Sequence, residues 1–234
     1  MNRSDLNQYW AIVPAAGTGS RMQANKPKQY LEIFGQPIIA LTLGKLISTK
    51  RFSKIVVALN ESDSYWSSLG LTKSADINTV IGGKTRMHSV LAGLHSFANL
   101  AKSEDWVLVH DAARPNISVQ LIEKLIISLS DDKVGGLLGL PVTDTVKQVS
   151  FSGEVEASLL REKIWLAQTP QMFRYGLLRD AIEDALQQGV ILTDESSALE
   201  RMGYRPKMVL GEATNIKVTT MDDLAILSRG IKEV

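Results

Sequence analysis

Cysteine is absent from the 234 residues. That removes disulfides, thiolate nucleophiles and cysteine-held metals. No apolar run approaches the roughly 20 residues of a membrane-spanning helix. The opening stretch MNRSDLNQYW is polar and lacks the apolar segment of a secretory leader. A bias of charge is missing too, since 26 basic and 25 acidic residues leave a net charge of +1. Nucleic acid and membrane are therefore poor candidates for the main partner. Any anion site must be a local cluster of Lys, Arg and backbone N–H groups. These absences together predict a cytoplasmic location.

What is present is alternation. YWAIVPA (9–15), KIVVALN (54–60), INTVIGG (77–83), DWVLVHD (105–111) and VGGLLGLPV (134–142) are short and continuously apolar. Strands read this way when both faces of their sheet are covered. Helical spacing occupies 37–48, 86–100 and 118–129, the last with Ser118 as N-cap. The pattern predicts βαβ units and a doubly wound, mostly parallel α/β sheet. The length suits one domain over 1–234. After Pro141 the order breaks. Residues 143–167 alternate about an SGE turn and are expected to form a projecting β-arm. Helices are expected again at 174–188 and 194–202, the second capped by Thr193 with Glu195 as first-turn charge. A strand at 206–210 and a helix near 220–231 complete the chain.

Three stretches carry chemistry. In PAAGTGSRM (14–22), Gly17 and Gly19 follow a strand and precede an expected helix. Such a pair is either a tight turn or a loop that turns N–H groups toward an anion at the carboxyl edge of the sheet. A dinucleotide fingerprint would need a third glycine at 22, which is Met, with Glu61 as its ribose-binding acid. That weakens the dehydrogenase reading. Next, Arg21 and Lys28 bracket the segment beside the loop, and two cations there suit a triphosphate and its pyrophosphate leaving group. Third, VLVHDAARP (107–115) runs an apolar strand into His110, Asp111 and Arg114. His110 reads as a hydrogen-bonded structural histidine or a proton carrier. Asp111 reads as a substrate or Mg2+ contact, or as a turn acceptor. Arg114 reads as a phosphate fork or as a partner of Asp111.

The blocks PAAGTGSRM, KPKQYL, GGKTRMHSVLAGL, VLVHDAARP, TPQMF, LTDESSALE and NIKVTT, in this order, resemble the 2-C-methyl-D-erythritol 4-phosphate cytidylyltransferases. The resemblance implies transfer of CMP from CTP to methylerythritol 4-phosphate with release of pyrophosphate, in the non-mevalonate isoprenoid pathway. It implies a Rossmann-like nucleotidyltransferase fold, Mg2+ as cofactor and a homodimer formed through the arm. It assigns Arg21 and Lys28 to the transition state at the α-phosphate. Ala15, Ala16, Gly17, Gly19, Gly83 and Ser89 would surround the nucleotide. Asp111, Arg114, Thr145, Thr169 and Thr193 would contact the acceptor. Arg161 and Lys217 would position its phosphate, Arg161 from the partner's arm. Mg2+ would be held mainly by the CTP phosphates, with Asp111 as a further candidate. Lys84 departs from the pattern, since some members carry an acid there beside the base pocket, and Ser20 replaces an arginine of some members. The alternatives are a ribitol 5-phosphate cytidylyltransferase, a transferase using another nucleotide, and a nucleotide-binding protein without turnover.

The implied reaction suits a chain poor in bases. Its nucleophile is a phosphate oxygen, already largely ionised at neutral pH because the second phosphate pKa is about 6. The obstacle is repulsion between two anions, which cations and fixed N–H dipoles relieve.

Overall fold

The computed structural model describes residues 7–17, 26–71 and 76–230. Strand β1 (Tyr9–Ala15) runs up the centre of the main sheet. A short hairpin, β2 (Glu32–Ile33) and β3 (Gln36–Pro37), leads into α1 (Ile38–Ser48). Then follow β4 (Phe52–Leu59), β5 (Ile77–Ile81), α2 (Arg86–Ser96), β6 (Trp106–Val109), α3 (Val119–Leu129) and β7 (Gly135–Pro141). The second half contains β8 (Val146–Val149), β9 (Val155–Leu159), β10 (Trp165–Arg174), α4 (Tyr175–Gln187), α5 (Glu195–Arg201), β11 (Lys207–Leu210) and α6 (Met221–Gly230).

The main sheet has seven strands in the order β11-β7-β10-β6-β1-β4-β5. β1 pairs parallel with β4 and β6, and β4 with β5. The carboxyl ends of β1, β5 and β6 therefore meet at one edge, where open α/β sheets bind ligands. The expected parallel α/β architecture is present, with one strand reversed. β10 runs antiparallel between β6 and β7.

Alternation along β1 explains its apolar sequence. Ala11, Val13 and Ala15 enter one core layer with Leu43 and Leu46 of α1 and Ile122 and Leu125 of α3. Trp10 and Ile12 enter the opposite layer with Val90 and Leu94 of α2, Leu178 and Ile182 of α4 and Leu199 of α5. Both faces are covered, so no position can be polar without cost. Each fully buried Leu or Ile here contributes about 1.5–3 kcal/mol of transfer free energy.

Three expectations change. The arm is shorter than 143–167, because the separate two-stranded sheet comprises only β8 and β9. From Trp165 the chain already belongs to β10. Pro170 hides that strand from a sequence reading, since proline argues against a central strand. It is accommodated where the β10–β7 register breaks between Ala167 and Gln171. Helix α2 stops at Ser96 rather than 100. Helix α5 is capped by Asp194, not Thr193. The Asp194 side chain accepts from Ser197 N–H, and the Ser197 hydroxyl returns to the Asp194 backbone. Ser118 caps α3 as expected, accepting from Leu121 N–H.

Candidate active site

A cavity of about 380 Å³ opens at the carboxyl edge of the sheet. Along one wall run Ala15, Ala16 and Gly17, with Gly83 and Ser89 beside them, and Lys28, Asp111 and Lys217 line it as well. The fold thus gathers eight of the site residues expected from sequence. Lys84, Thr85, Arg86, Gln29 and Thr219 are also in the lining.

The Ala15–Gly17 wall is a loop held from behind. The buried Gln29 amide donates to Ala15 O at 2.7 Å and to Gly17 O at 3.2 Å. Asn60 donates to Ala16 O at 3.2 Å. Three successive carbonyls are thereby satisfied within the protein, which fixes the loop's course. Gly17 does not lie in the left-handed region, and a side chain there would meet nothing within 4 Å among the described residues. Its use is therefore not backbone freedom but room for something to come close. Gly82 differs, since a Cβ there would lie 2.6 Å from Ala16 Cβ and 2.7 Å from Ser89 Oγ. The Ala15–Gly17 and Gly82–Thr85 loops pack on each other through that glycine. Ser89 accepts from Gly83 N–H at 3.1 Å and donates to Thr85 O at 3.2 Å. It ties Gly83 to the start of α2, where Thr85 is the N-cap. Lys84 is exposed at the cavity rim.

The rest of the lining, beyond the end of the neighbouring strand β6, is built from charge. Asp111 is 6 % exposed and faces three cations. Arg86 Nε donates to Oδ1 at 3.0 Å. Lys217 Nζ lies 2.8 Å from Oδ2, and Arg114 Nε lies 3.5 Å from it. Burial by itself would raise this carboxyl. Arg86, Lys217 and Arg114 together outweigh it and hold Asp111 well below the usual carboxylate range. Arg86 then reaches past Asp111 to Glu195, with Nη1 2.5 Å from Oε1 and Nη2 3.2 Å from Oε2. Glu195 is fully buried. Burial pushes its carboxyl up, and the Arg86 charge opposes that rise. Lys28 joins from the other side, donating to Val218 O at 3.2 Å next to Lys217.

Behind Asp111, His110 supports the turn. It is fully buried, and its Nε2 lies 3.2 Å from the Arg114 carbonyl, which only accepts, so Nε2 carries the hydrogen. Nδ1 then accepts from the Thr169 hydroxyl at 3.1 Å, and Thr169 Oγ1 accepts from Asp111 N–H at 3.0 Å. Burial lowers the His110 pKa from 6.5 to about 4, so the ring is neutral. With both nitrogens used inside the protein, His110 is a scaffold and not a proton carrier for the cavity. Arg114 donates to Asn215 O at 2.6 Å, and Asn215 donates to Thr169 O at 2.9 Å. Arg114 and Thr169 therefore stand behind Asp111 rather than in the cavity lining.

Other expected residues are not gathered here. Arg161 is exposed in a short 3-10 turn after the arm and donates to the Thr143 carbonyl. Thr145 and Thr193 are exposed and outside the lining. Arg21 and Gly19 lie outside the described residues. Sequence reading passed over Arg86, Gln29 and Asn60 and gave Glu195 only a helix-dipole role. Arg86 and Glu195 lie within blocks singled out above, GGKTRMHSVLAGL and LTDESSALE, but nothing local links positions 109 residues apart. Among the described residues, no three His, Asp or Glu side chains come together as a metal cage. The oxygens of Asp111 are already met by three cations, a setting that suits an anchor better than a ligand for Mg2+.

A small-residue loop beside a bank of cations, Lys28, Arg86 and Lys217, suits the stabilisation of polyphosphate charge. The class defined is that of the α/β nucleotidyltransferases. The family model described as 2-C-methyl-D-erythritol 4-phosphate cytidylyltransferase matches residues 9–231. The enzyme of that name from Pseudomonas aeruginosa strain UCBPP-PA14 is 46 % identical over 230 residues, 98 % of each chain. That of Vibrio vulnificus strain YJ016 is 47 % identical over 216 residues, 92 % of this chain and 91 % of its own. The crystal structure of the Francisella tularensis enzyme superposes with a TM-score of 0.84 at 37 % identity, covering 96 % of this chain and all of the other. That from Thermus thermophilus gives 0.77 at 29 % identity, covering 95 % and 99 %. The chain belongs to the 2-C-methyl-D-erythritol 4-phosphate cytidylyltransferase family.

Proposed function

We propose that this chain transfers CMP from CTP to the phosphate of 2-C-methyl-D-erythritol 4-phosphate, as one nucleotidyltransferase domain with an arm. The observation that carries the reading is the cavity itself, which brings the Ala15–Gly17 loop together with Lys28, Lys217 and Arg86. An acceptor phosphate oxygen attacks the α-phosphorus of CTP. The new P–O bond forms as the bond to the bridging oxygen of the β-phosphate breaks, and pyrophosphate leaves with that electron pair. No proton need be removed, because the acceptor phosphate is already ionised. Ala15, Ala16, Gly17, Gly19, Gly83 and Ser89 form the nucleotide side. Lys28, with Arg21, stabilises charge at the α-phosphate. Lys217 holds the acceptor phosphate, and Asp111 with Thr193 contacts the polyol. Arg114 and Thr169 support Asp111. Mg2+ would be held mainly by the CTP phosphates and would supply neutralisation of the triphosphate charge.

Arg161 and Thr145 come from the arm of a second copy, so that the working enzyme is a homodimer. Supporting this, the arm and its base leave Val149, Phe151, Val155, Leu159 and Leu160 exposed. Neither Arg161 nor Thr145 lines the cavity of its own chain. A cytoplasmic location follows from CTP as substrate, and no described helix is long and apolar enough to cross a membrane.

The test is pyrophosphate release with each of the four nucleoside triphosphates, using methylerythritol 4-phosphate and ribitol 5-phosphate in parallel. CTP with methylerythritol 4-phosphate should exceed every other pair. Preference for ribitol 5-phosphate would overturn the acceptor, and CTP binding without turnover on any polyol phosphate would overturn catalysis. Mixing Arg161→Ala chains with Lys28→Ala chains should restore activity through one rebuilt site per heterodimer. If subunits exchange and none returns, the shared site is wrong.

A further inference from the structure

Arg86 lines the cavity but has no role in the reaction set out above. Its backbone is the first residue of α2, directly after the Gly83–Thr85 loop on the nucleotide wall. Its guanidinium crosses to the acceptor wall and meets Asp111 Oδ1 at 3.0 Å. It is also locked from behind. Glu195 takes both terminal nitrogens and is wholly buried at the start of α5. That helix is tied to β10, since Gln171 donates to Asp194 and accepts from Ser196 N–H. A guanidinium held bidentately by a buried carboxylate has little freedom to follow a ligand.

The consequence falls on Lys217. Asp111 has two oxygens, and Arg86 takes Oδ1 while Lys217 takes Oδ2. An incoming phosphate dianion has to compete with Asp111 for Lys217. The Arg86 charge drains part of the carboxylate's pull and holds its plane, so Lys217 can be shared rather than sequestered. Without Arg86 the Asp111–Lys217 pair would close on itself, with Arg114 as the other facing charge.

We infer that Arg86 is the positioning residue that couples the nucleotide wall to the acceptor wall: pinned by Glu195, it orients Asp111 and keeps Lys217 available to the acceptor phosphate. The inference rests on the assignment of this wall to a polyol phosphate. Wild-type turnover with methylerythritol 4-phosphate in the same preparation tests that assignment separately.

Three variants decide it: Arg86→Met, Arg86→Lys, and Arg86→Met with Glu195→Gln. Each is assayed for CTP dissociation by direct binding, for acceptor KM and kcat, and for thermal midpoint. Arg86→Met should lower kcat/KM for the acceptor about 100-fold, the scale of a misplaced reactant, mainly through acceptor KM. CTP binding should stay within about threefold, as for a change that removes no nucleotide contact. Arg86→Met alone also leaves Glu195 buried without its partner, so its midpoint should fall. The double variant removes that burden and should recover the midpoint but not the acceptor kcat/KM. Arg86→Lys should recover only part of it, since an ammonium lacks the fork that spans two carboxylates. Recovery of acceptor kcat/KM together with midpoint in the double variant would make Arg86 merely structural and overturn the proposal. Equal weakening of CTP and acceptor would overturn it as well.

Discussion

The two walls of the cavity solve opposite problems. The wall proposed for the nucleotide is small residues and backbone, with Gln29 and Asn60 taking the carbonyls of Ala15, Ala16 and Gly17 from behind. It gains attraction for an anion without burying a charge. The wall proposed for the acceptor buries two carboxylates and surrounds them with Arg86, Arg114 and Lys217. Buried charges are costly unless each is paired, and a pair robbed of one member costs more than the pair ever contributed. The first wall should therefore tolerate substitution until a ligand arrives, whereas the second should fail in the empty protein.

The largest effect that sharpens this contrast is Asp111→Asn. It leaves Arg86, Lys217 and Arg114 facing one another without their central anion, and about 3–5 kcal/mol of stability should be lost. Urea unfolding measures it, and a loss under about 1 kcal/mol, the scale of an exposed pair, would break the contrast. Lys28→Ala comes next and should spare folding while reducing kcat by about 10²–10³. Near-normal turnover in the purified variant removes Lys28 from the reaction centre. Arg21→Ala is expected to behave alike.

A pH dependence follows from His110. Its pKa is lowered by burial from 6.5 to about 4. Between these values the unfolded chain binds a proton that the folded chain does not. Stability should thus fall as pH drops from about 6.5 to about 4, by about 3 kcal/mol in all. Asp111, whose pKa lies below the ordinary range because of its three cations, adds a further loss at lower pH. Unfolding curves across this range test it, and His110→Gln should flatten the upper part of the slope. An unchanged slope in that variant would mean that His110 is not the group responsible. The smallest effect compares two glycines. Gly82→Ala must displace Ala16 or Ser89 and should cost about 1–3 kcal/mol. Gly17→Ala should change stability by only about 0.5 kcal/mol yet weaken CTP, read by calorimetric titration.

Much of the architecture was legible in the chain. Continuous apolar strands announced a sheet covered on both faces, and Ser118 announced the start of α3. β10 was not legible, because Pro170 disguises a central strand and its partners β6 and β7 lie far away in sequence. In the site, Ala15, Gly17, Lys28, Asp111 and Lys217 came from blocks with local meaning. Glu195 stands in the first turn of α5 as expected, but its ion pair was not legible, because its partner Arg86 lies on another helix. Thr169 and Arg114 carry the right chemistry for a ligand, but tertiary contacts draw them behind Asp111.

The sequence by itself determined the fold class and which short stretches meet the carboxyl edge of the sheet, since periodicity and turn residues act over a few positions. It also determined the family, through the order of its blocks. Only the tertiary structure decided which charges face the cavity and which are used up behind it. That is a question of pairing and burial, and a charge is paired by whatever lies within about 4 Å in space, at any distance along the chain.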